Sequence, residues 1–294
     1  MNERPFYIVD VFAQEKYAGN HVAVVRRARQ FSVGEMQRIA REIGPAAFIL
    51  SDEEEAGGYP VRIFTPTTEL PFSGHPTLGA AYVITREILR RPVTTIVIGL
   101  PAGSVAVSVR HQDGDDVQDL MMRQKPAVFG QTFEPWRVAS LLSLAAGDFD
   151  DRFPIEEAST GLPYLIVPVR TLEALTRARP IEDECARLLA ETEAKAFALF
   201  CPETYSPERQ LHVRVFARYH GVPEDPGTGT ANGAIAGYLV KHRYWGQDAI
   251  EITVEQGHGL HRPSLLRIRA RNQGGKIEVE VGGQVLIVAR GILL

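Results

Sequence analysis

The first part of the chain alternates short apolar, β-branched runs with one amphipathic stretch. Phe6 to Phe12 and Val22 to Val25 are runs of the first kind with turn residues between them, which predicts a β-hairpin. Ser32 is then followed three residues later by Glu35, which is the pattern of a helix capping box. Apolar residues at helical spacing follow, so we predict a helix from Val33 to Glu42.

The pattern continues with predicted strands on either side of a second helix, which lacks the polar face of the first. Ala46 to Leu50 and Val61 to Phe64 are predicted strands, and Thr94 to Ile98 with Ser104 to Val109 form a predicted strand pair. Between them, Thr77 to Leu89 is rich in small and apolar residues and has no polar face in its first turns. This stretch is therefore predicted to be a buried helix.

The C-terminal tail has the two-residue alternation of β-strands. It runs from Ile250 to Leu294, and we place its turns at glycines, namely Gly257, Gly274, Gly275, Gly282 and Gly283.

The chain also contains an internal repeat. Glu69 to Ala81, ELPFSGHPTLGAA, aligns without gaps on Glu224 to Ala236, EDPGTGTANGAIA, at an offset of 155 residues. Arg62 to Phe64 matches Arg214 to Phe216 at an offset of 152, and earlier matches lie at 149 and 142. Offsets that drift in one direction are expected when loops change length in a duplicated domain. The simplest architecture is sheet wrapped about a buried helix, twice.

Composition excludes several classes of protein. The 294 residues carry a formal net charge of -4 without long runs of either sign, which argues against a nucleic-acid binder with a bulk basic surface. No run approaches the roughly 20 apolar residues of a membrane helix, and no signal peptide is evident, so we expect a cytoplasmic protein. Cys185 and Cys201 lack metal or disulfide spacing and are interpreted as buried hydrophobes, and no metal-spaced cluster of histidines and acidic residues is present.

The repeat places a glycine at the start of two small-residue helices. The unbonded N–H groups of a first turn favour an anion, and glycine allows close approach, so Gly74 and Gly229 suit a small carboxylate. The alternative is that these glycines only allow close packing of helix on sheet. His75, before Pro76 at a predicted first helical position, is a candidate to face a ligand. Asp225, in the turn PEDPGTG, is a candidate too, although it could only cap or shape the turn.

At this point the residues resemble a known family. The segments that carry the likeness run in order along nearly the whole chain: VDVFAQEKYAGNHVAVV ending at Val25, FTPTTELPFSGHPTLGAA from Phe64, TGLPYLIVPV from Thr160, VFARYHGVPEDPGTGTANG from Val215 and EQGHGLHRPSLL from Glu255. They are similar to the PhzF-like isomerase family of phenazine biosynthesis.

The resemblance implies an α/β (α+β) fold of the diaminopimelate-epimerase type. In that fold two pseudo-symmetric domains each form a curled, barrel-like sheet around a central helix, and the active site lies in the cleft. We place the first half at residues 1–115 plus a C-terminal strand at about 285–294, and the second at 116–284, with the boundary in the polar break His111 to Asp116. The resemblance also implies a homodimer.

The activity implied by the resemblance is an isomerisation that moves a proton on a small carboxylated substrate, without cofactor or metal. Asp225 and His75 would be catalytic. The substrate-binding residues would be those at the two helix starts: Gly74, Ser73, Gly229 and Thr230. Thr230 stands where the family more often has serine, so the hydroxyl is kept.

Two departures from the related patterns bear on the reaction. Two-thiol epimerases place a cysteine before each duplicated glycine, whereas this chain has Ser73 and Thr228, whose hydroxyls are too weakly acidic to replace thiols unassisted. The family's proton-shuttling glutamate, aligned back from Phe48, is replaced by Pro45, which cannot carry a proton.

Three interpretations of that second departure stay open. A shortened loop could aim Glu42 into the cleft, although a helix end is more often solvated. His75 and Asp225 could perform acid–base chemistry on a different substrate. Alternatively, the protein binds a small acid without turning it over.

Overall fold

The computed structural model describes residues 4–112, 117–218 and 222–294. The chain divides into two compact units, Met1–Arg123 with Gly282–Leu294 (unit 1) and Gln124–Val281 (unit 2). The boundary expected between residues 115 and 116 falls on residues that lie outside the described ranges.

Unit 1 is a mixed sheet with a helix packed against its strands. Its strands are β1 (Arg4–Val11), β2 (Asn20–Val25), β3 (Ala46–Ile49), β4 (Tyr59–Phe64), β5 (Glu69–Leu70), β6 (Thr95–Leu100), β7 (Gly103–His111), β8 (Val117–Arg123) and β18 (Val285–Leu293). β1 is antiparallel to both β18 and β2, which confirms the predicted pairing of the first two strands. β2 is parallel to β3, β3 is antiparallel to β4, and β4 is antiparallel to β5 and parallel to β6.

Helix α1 (Val33–Ile43) shows how a local sequence signal sets an element boundary. The Ser32 side chain accepts a hydrogen bond from the N–H of Glu35, and the Glu35 carboxylate accepts one from the N–H of Ser32. This is the predicted capping box, and it satisfies first-turn donors that the helix cannot bond itself. The helix ends at Gly44, whose φ of +91° favours glycine.

The second helix of unit 1, α2 (Gly74–Val83), starts earlier than the predicted range of Thr77 to Leu89. Pro76 is its third residue and not its first. Proline is tolerated at this position because the N–H groups of a first turn have no partner within the helix. The α-helical hydrogen bonding gives way to a π-helical segment at Ile84–Leu89. The predicted burial of this helix is confirmed, since every residue of α2 except His75 is buried.

Close packing of α2 on its sheet depends on one small residue. A Cβ at Gly79 would lie 2.8 Å from a methyl carbon of Val22 and 3.0 Å from one of Val9. The helix therefore contacts β1 and β2 through a position where any side chain would force these valines to move.

Unit 2 is built from strands β9 (Val128–Phe133), β10 (Ile155–Ser159), β11 (Pro163–Pro168), β12 (Phe197–Cys201), β13 (Leu211–Ala217), β14 (Val222–Asp225), β15 (Ala249–Gln256), β16 (Ser264–Gln273) and most of β17 (Lys276–Gly283). Its helices are α3 (Pro135–Ala139), α4 (Leu172–Arg177), α5 (Glu182–Ala190) and α6 (Gly229–Lys241). The central helix α6 is buried from Gly229 to Val240 and contacts β10, β11, β15 and β16.

The two units share one order of strand pairing. In unit 2, β10 is antiparallel to β9 and β11, β11 is parallel to β12, β12 is antiparallel to β13, and β13 is antiparallel to β14 and parallel to β15. Each step has its equivalent in unit 1, and each unit places its central helix directly after a short strand, β5 in unit 1 and β14 in unit 2. The predicted α/β class, with sheet around a buried central helix in each half, is confirmed.

An ion pair is repeated with the fold. Arg62 and Glu69 form a two-bond ion pair in unit 1, at 2.7 and 2.6 Å. Arg214 and Glu224 form the same pair in unit 2, with two bonds of 2.9 Å. These are matched positions of the sequence repeat, and each pair ties together the two strands that precede a central helix.

The remaining sequence expectations have mixed outcomes. The tail is almost all strand as predicted, with a short 3-10 turn at His258–Leu260, but Gly282 lies inside β17 and Gly283 is its last residue. Gly282 is there because its backbone approaches the carbonyl oxygen of Leu120, which would lie 1.8 Å from a Cβ. Cys185 and Cys201 are buried free thiols, as expected. Over the described ranges, no helix combines the length and the apolar character needed to span a membrane.

Candidate functional site

Both central helices start at a buried glycine preceded by a hydroxyl residue. Ser73 precedes Gly74 of α2, and Thr228 precedes Gly229 of α6. Neither hydroxyl caps its own helix by accepting a hydrogen bond from the first turn. Both helix starts therefore keep N–H groups that the helix cannot bond, which is the arrangement that favours an anion.

At the start of α2, only two backbone N–H groups of the first turn are available to an acceptor. Pro76 has no N–H, and the N–H of Thr77 lies 3.4 Å from the carbonyl oxygen of Ser73, which also accepts the Thr77 hydroxyl at 2.6 Å. The backbone N–H groups of Gly74 and His75 are left as the first-turn donors that an acceptor could use.

His75 is the first side chain of α2 and the one residue of that helix that is only partly buried. Its Nδ1 lies 3.5 Å from the side-chain nitrogen of Asn20, and its Nε2 is buried with no hydrogen-bond partner among the described residues. If Asn20 donates to Nδ1, the ring proton is placed on Nε2. Nε2 would then be a hydrogen-bond donor without an acceptor among the described residues.

The charge state of His75 follows from its surroundings. Burial, with a smaller contribution from the nearby imidazole of His21, lowers the pKa of His75 to about 3. The imidazole is therefore neutral at physiological pH. A neutral N–H can hydrogen bond to a carboxylate or to a developing negative charge, but such a ring is a weak base.

The start of α6 carries a carboxylate in a fully bonded turn. The Thr228 hydroxyl donates to Oδ2 of Asp225 and lies 3.0 Å from the side-chain nitrogen of Gln256. That nitrogen also donates to the backbone carbonyl of Asp225 at 2.7 Å, and the N–H of Thr228 donates to the Gln256 side-chain oxygen at 3.1 Å. Gln256, at the end of β15, thus holds both ends of the Asp225 turn.

The first turn of α6 is held from two further sides. Asn232 donates to the Gln256 side-chain oxygen at 2.8 Å. Thr230 and Tyr164 share a hydrogen bond of 2.6 Å between their hydroxyl oxygens, and burial raises the pKa of Tyr164. The Thr230 hydroxyl is therefore already occupied by a phenol that stays protonated.

Pro45, which stands where the resemblance leads us to expect a glutamate, contributes to the pairing of two strands. The carbonyl oxygen of Pro45 accepts the N–H of Ala23 at 2.9 Å, which extends the ladder between β2 and β3. Glu42 is exposed in the last turn of α1. At Gly44 a Cβ would lie 3.3 Å from Nε2 of His21, so an imidazole lies against the backbone beside Pro45.

The predicted site residues thus fall into two groups, one in each unit. Ser73, Gly74 and His75 meet at the start of α2, and Asp225, Gly229 and Thr230 meet at the start of α6. Sequence reasoning missed the residues that hold these groups, namely Asn20, His21, Tyr164 and Gln256. Asn20 lies between the two predicted strands of the hairpin, where a turn residue is expected, and Gln256 lies in the EQG segment of the resemblance.

Residue spacing also gave no sign of one further grouping. His212, Glu255 and His258 come together in unit 2, each offering an atom of the type that binds metal ions. The two histidines are far apart in sequence, so no motif spacing could have indicated them.

Comparison with known proteins agrees with this architecture over the whole chain. A family model described as phenazine biosynthesis-like protein matches residues 9–291. A trans-2,3-dihydro-3-hydroxyanthranilate isomerase of Pseudomonas aeruginosa is 32% identical over 291 residues, covering 97% of this chain and 98% of that protein. A Bacillus anthracis phenazine biosynthesis protein of the PhzF family superposes with a TM-score of 0.90 at 27% identity, with 100% of both chains covered. A hydroxyproline epimerase from Agrobacterium vitis, 11% identical, shares the fold with a TM-score of 0.64 over 100% of this chain and 91% of that one.

Proposed function

Because the chain belongs to the phenazine biosynthesis-like family of PhzF-type isomerases, we propose that it moves a proton on a small carboxylic acid without a cofactor. The observation that carries this proposal is Nε2 of His75, a buried and unpartnered nitrogen at the start of α2. Leaving such a group unbonded costs on the order of 1 to 3 kcal/mol, so a bound acceptor at this point would be stabilised.

The proposed role of His75 is to bind and polarise the substrate. Its low pKa keeps the ring neutral, and the contact with Asn20 favours a proton on Nε2. Nε2 and the backbone N–H groups of Gly74 and His75 are three donors at one helix start. A carboxylate could accept from them, as could the negative charge that develops when a neighbouring carbon loses its proton.

The proposed role of Asp225 is to take up and return the proton. It is the carboxylate of the α6 start, and its orientation is set by Thr228 and by Gln256. A general base needs a fixed position more than a large pKa shift, and this turn supplies one.

Glu42 is not part of this proposal. It is exposed at the end of α1, whereas Pro45 contributes its carbonyl oxygen to a strand ladder. We therefore assign the proton transfer to Asp225 and propose that the substrate differs from that of relatives that use a glutamate.

The test is uptake of solvent deuterium by candidate acids. The candidates are small amino and hydroxy acids and trans-2,3-dihydro-3-hydroxyanthranilate, the compound named for the Pseudomonas aeruginosa relative. We expect the wild type to exchange at least one of them, Asp225→Asn to lower the rate by about 100- to 10,000-fold, and His75→Asn to lower it by about tenfold to 1,000-fold. Asp248→Asn, an exposed position of the same unit, is the matched control and should exchange at the wild-type rate.

Two outcomes would contradict the proposal: no exchange of any candidate by the wild type, or normal exchange by both variants. The replacement of the expected glutamate by Pro45 favours one alternative function, binding of a small acid without turnover. In that case the candidate acids would raise the melting temperature without exchanging deuterium.

The quaternary structure and the location of the protein stay predictions. We propose a homodimer in the cytoplasm, and sedimentation of the purified chain would test the first point. A monomer at micromolar concentration would contradict it.

A further inference from the structure

A second cluster of reactive side chains lies in unit 2, apart from the side chains assigned to the substrate. The strands β13 and β15 run parallel, and their register pairs His212 directly with Glu255. The chain then turns after β15, and His258 begins the short 3-10 turn that follows. One ligand-type atom of each residue lies within 4.8 Å of the other two.

Two members of the cluster are almost completely enclosed. The side chains of His212 and Glu255 are 3% and 6% exposed, and Nδ1 of His212 lies 3.4 Å from Oε2 of Glu255. The Glu255 oxygens also accept the N–H groups of Tyr205 and Ser206 at 2.9 and 3.0 Å. Burial alone would raise the pKa of Glu255, but these bonds outweigh it and keep the pKa low, so the group is a carboxylate.

The third member has an unsatisfied nitrogen. Nδ1 of His258 is buried and has no hydrogen-bond partner among the described residues. Burial and the neighbouring His212 lower the pKa of His258, so its ring is neutral at physiological pH and has a lone pair to offer. The ring of Tyr205 stacks on that of His258, with 4.6 Å between centroids, and meets His212 edge-on at 5.2 Å.

We propose that His212, Glu255 and His258 form a binding site for a divalent transition-metal ion, with Zn²⁺ as the best match. Two imidazoles and one carboxylate are an N/O ligand set that suits Zn²⁺ and related ions, whereas Ca²⁺ and Mg²⁺ prefer oxygen ligands throughout. A bound ion would satisfy the orphaned nitrogen of His258. It would also add a positive charge beside a buried carboxylate.

Metal binding would affect the start of α6 through Gln256. Glu255 directly precedes Gln256, whose side chain holds the backbone of Asp225 and Thr228. The ion would therefore fix the end of β15 without touching the substrate, and its role would be structural and regulatory.

The test uses the full chain without an affinity tag, stripped of metal by a chelator and titrated with Co²⁺ and with Zn²⁺. We expect one ion per chain, a visible Co²⁺ ligand-field spectrum that Zn²⁺ abolishes, and a higher melting temperature with Zn²⁺. His258→Asn should weaken binding by about 100-fold and remove the stabilisation, while keeping the fold because this residue is only half buried.

The matched control is His261→Asn, three positions further along the same exposed turn and outside the cluster. It should bind both ions as the wild type does. The proposal is wrong if the wild type fails to bind an ion at one equivalent, or if His258→Asn binds as tightly as His261→Asn. Circular dichroism of each variant separates a lost site from a lost fold.

Discussion

The starts of α2 and α6 have the same backbone design but opposite chemistry. At α2 the Ser73 hydroxyl leaves its helix uncapped, the nearby imidazole is neutral, and one of its nitrogens is unbonded. At α6 the equivalent hydroxyl, on Thr228, joins a carboxylate and an amide in a closed set of hydrogen bonds. The start of α2 thus has few side-chain hydrogen bonds and a neutral imidazole, whereas the start of α6 has several side-chain hydrogen bonds around a carboxylate.

The difference shows that the repeat fixes the backbone of each helix start but not the side chains around it. The repeat supplies sheet, buried helix and a glycine that opens each first turn, so two anion-favouring helix starts come with the fold. The side chains around them have diverged. The proposed proton transfer needs one group that stabilises negative charge and another that accepts a proton, and the neutral imidazole at α2 and the carboxylate at α6 are groups of these two kinds.

The largest expected difference between the halves concerns the duplicated ion pair. Arg214 and Glu224 are 10% and 14% exposed, and Nη1 of Arg214 also donates to three backbone carbonyl oxygens. Arg62 and Glu69 are 27% and 28% exposed. We expect Glu224→Gln to lower the free energy of unfolding by about 3 kcal/mol and Glu69→Gln by about 1 kcal/mol or less, measured by urea denaturation.

Equal losses in these two variants would show that the pairs are equivalent and that burial does not distinguish them. Urea midpoints should be compared at constant slope, since a changed slope would indicate that one unit unfolds separately.

Much of this fold could be predicted from local patterns. The capping box at Ser32 located the start of α1, and the gap-free repeat of Glu69 to Ala81 indicated two equivalent halves. The start of α2 lies three residues before the predicted Thr77, because proline is favoured at the first helical position but is also tolerated later in the first turn. Gly282 was misplaced because a close approach to another strand has no local signature.

The second prediction concerns pH and the α2 start. His75 has a pKa of about 3 in the folded chain against about 6.5 when unfolded, so between these values the unfolded chain binds the extra proton. The stabilisation from a neutral His75 is complete above pH ~6.5 and is lost as pH falls towards 3. Replacement by asparagine, which does not titrate, should reduce the loss of stability between pH 7 and pH 4 by on the order of 3 kcal/mol.

The measurement is urea denaturation of wild type and His75→Asn across that range. The lowered pKa of His258 affects both proteins alike and cancels in the difference. Parallel stability curves would mean that His75 is solvated and titrates normally, which would remove the basis for a neutral donor at α2.

The candidate site was harder to predict than the fold, for a physical reason. His75 and Asp225 could be chosen because they stand beside helix-opening glycines, which is a local pattern. Gln256 holds the Asp225 turn from the end of a strand 31 positions away, and Asn20 reaches His75 from 55 positions away. Such contacts depend on strand register, so side chains of ordinary type acquire their role only in the folded chain.

The smallest expected effect compares the two hydroxyls that precede the glycines. Thr228→Val keeps the shape of the side chain but removes the donor to Asp225 and an acceptor for Gln256, so it should cost about 1 kcal/mol. Ser73→Ala should change the free energy of unfolding by no more than about 0.5 kcal/mol, because that hydroxyl does not cap α2. Thr228→Ser, which restores the hydroxyl, should recover most of the loss. If Ser73→Ala cost as much as Thr228→Val, the two helix starts would be bonded alike, and the contrast between them would have no basis in their hydrogen bonding.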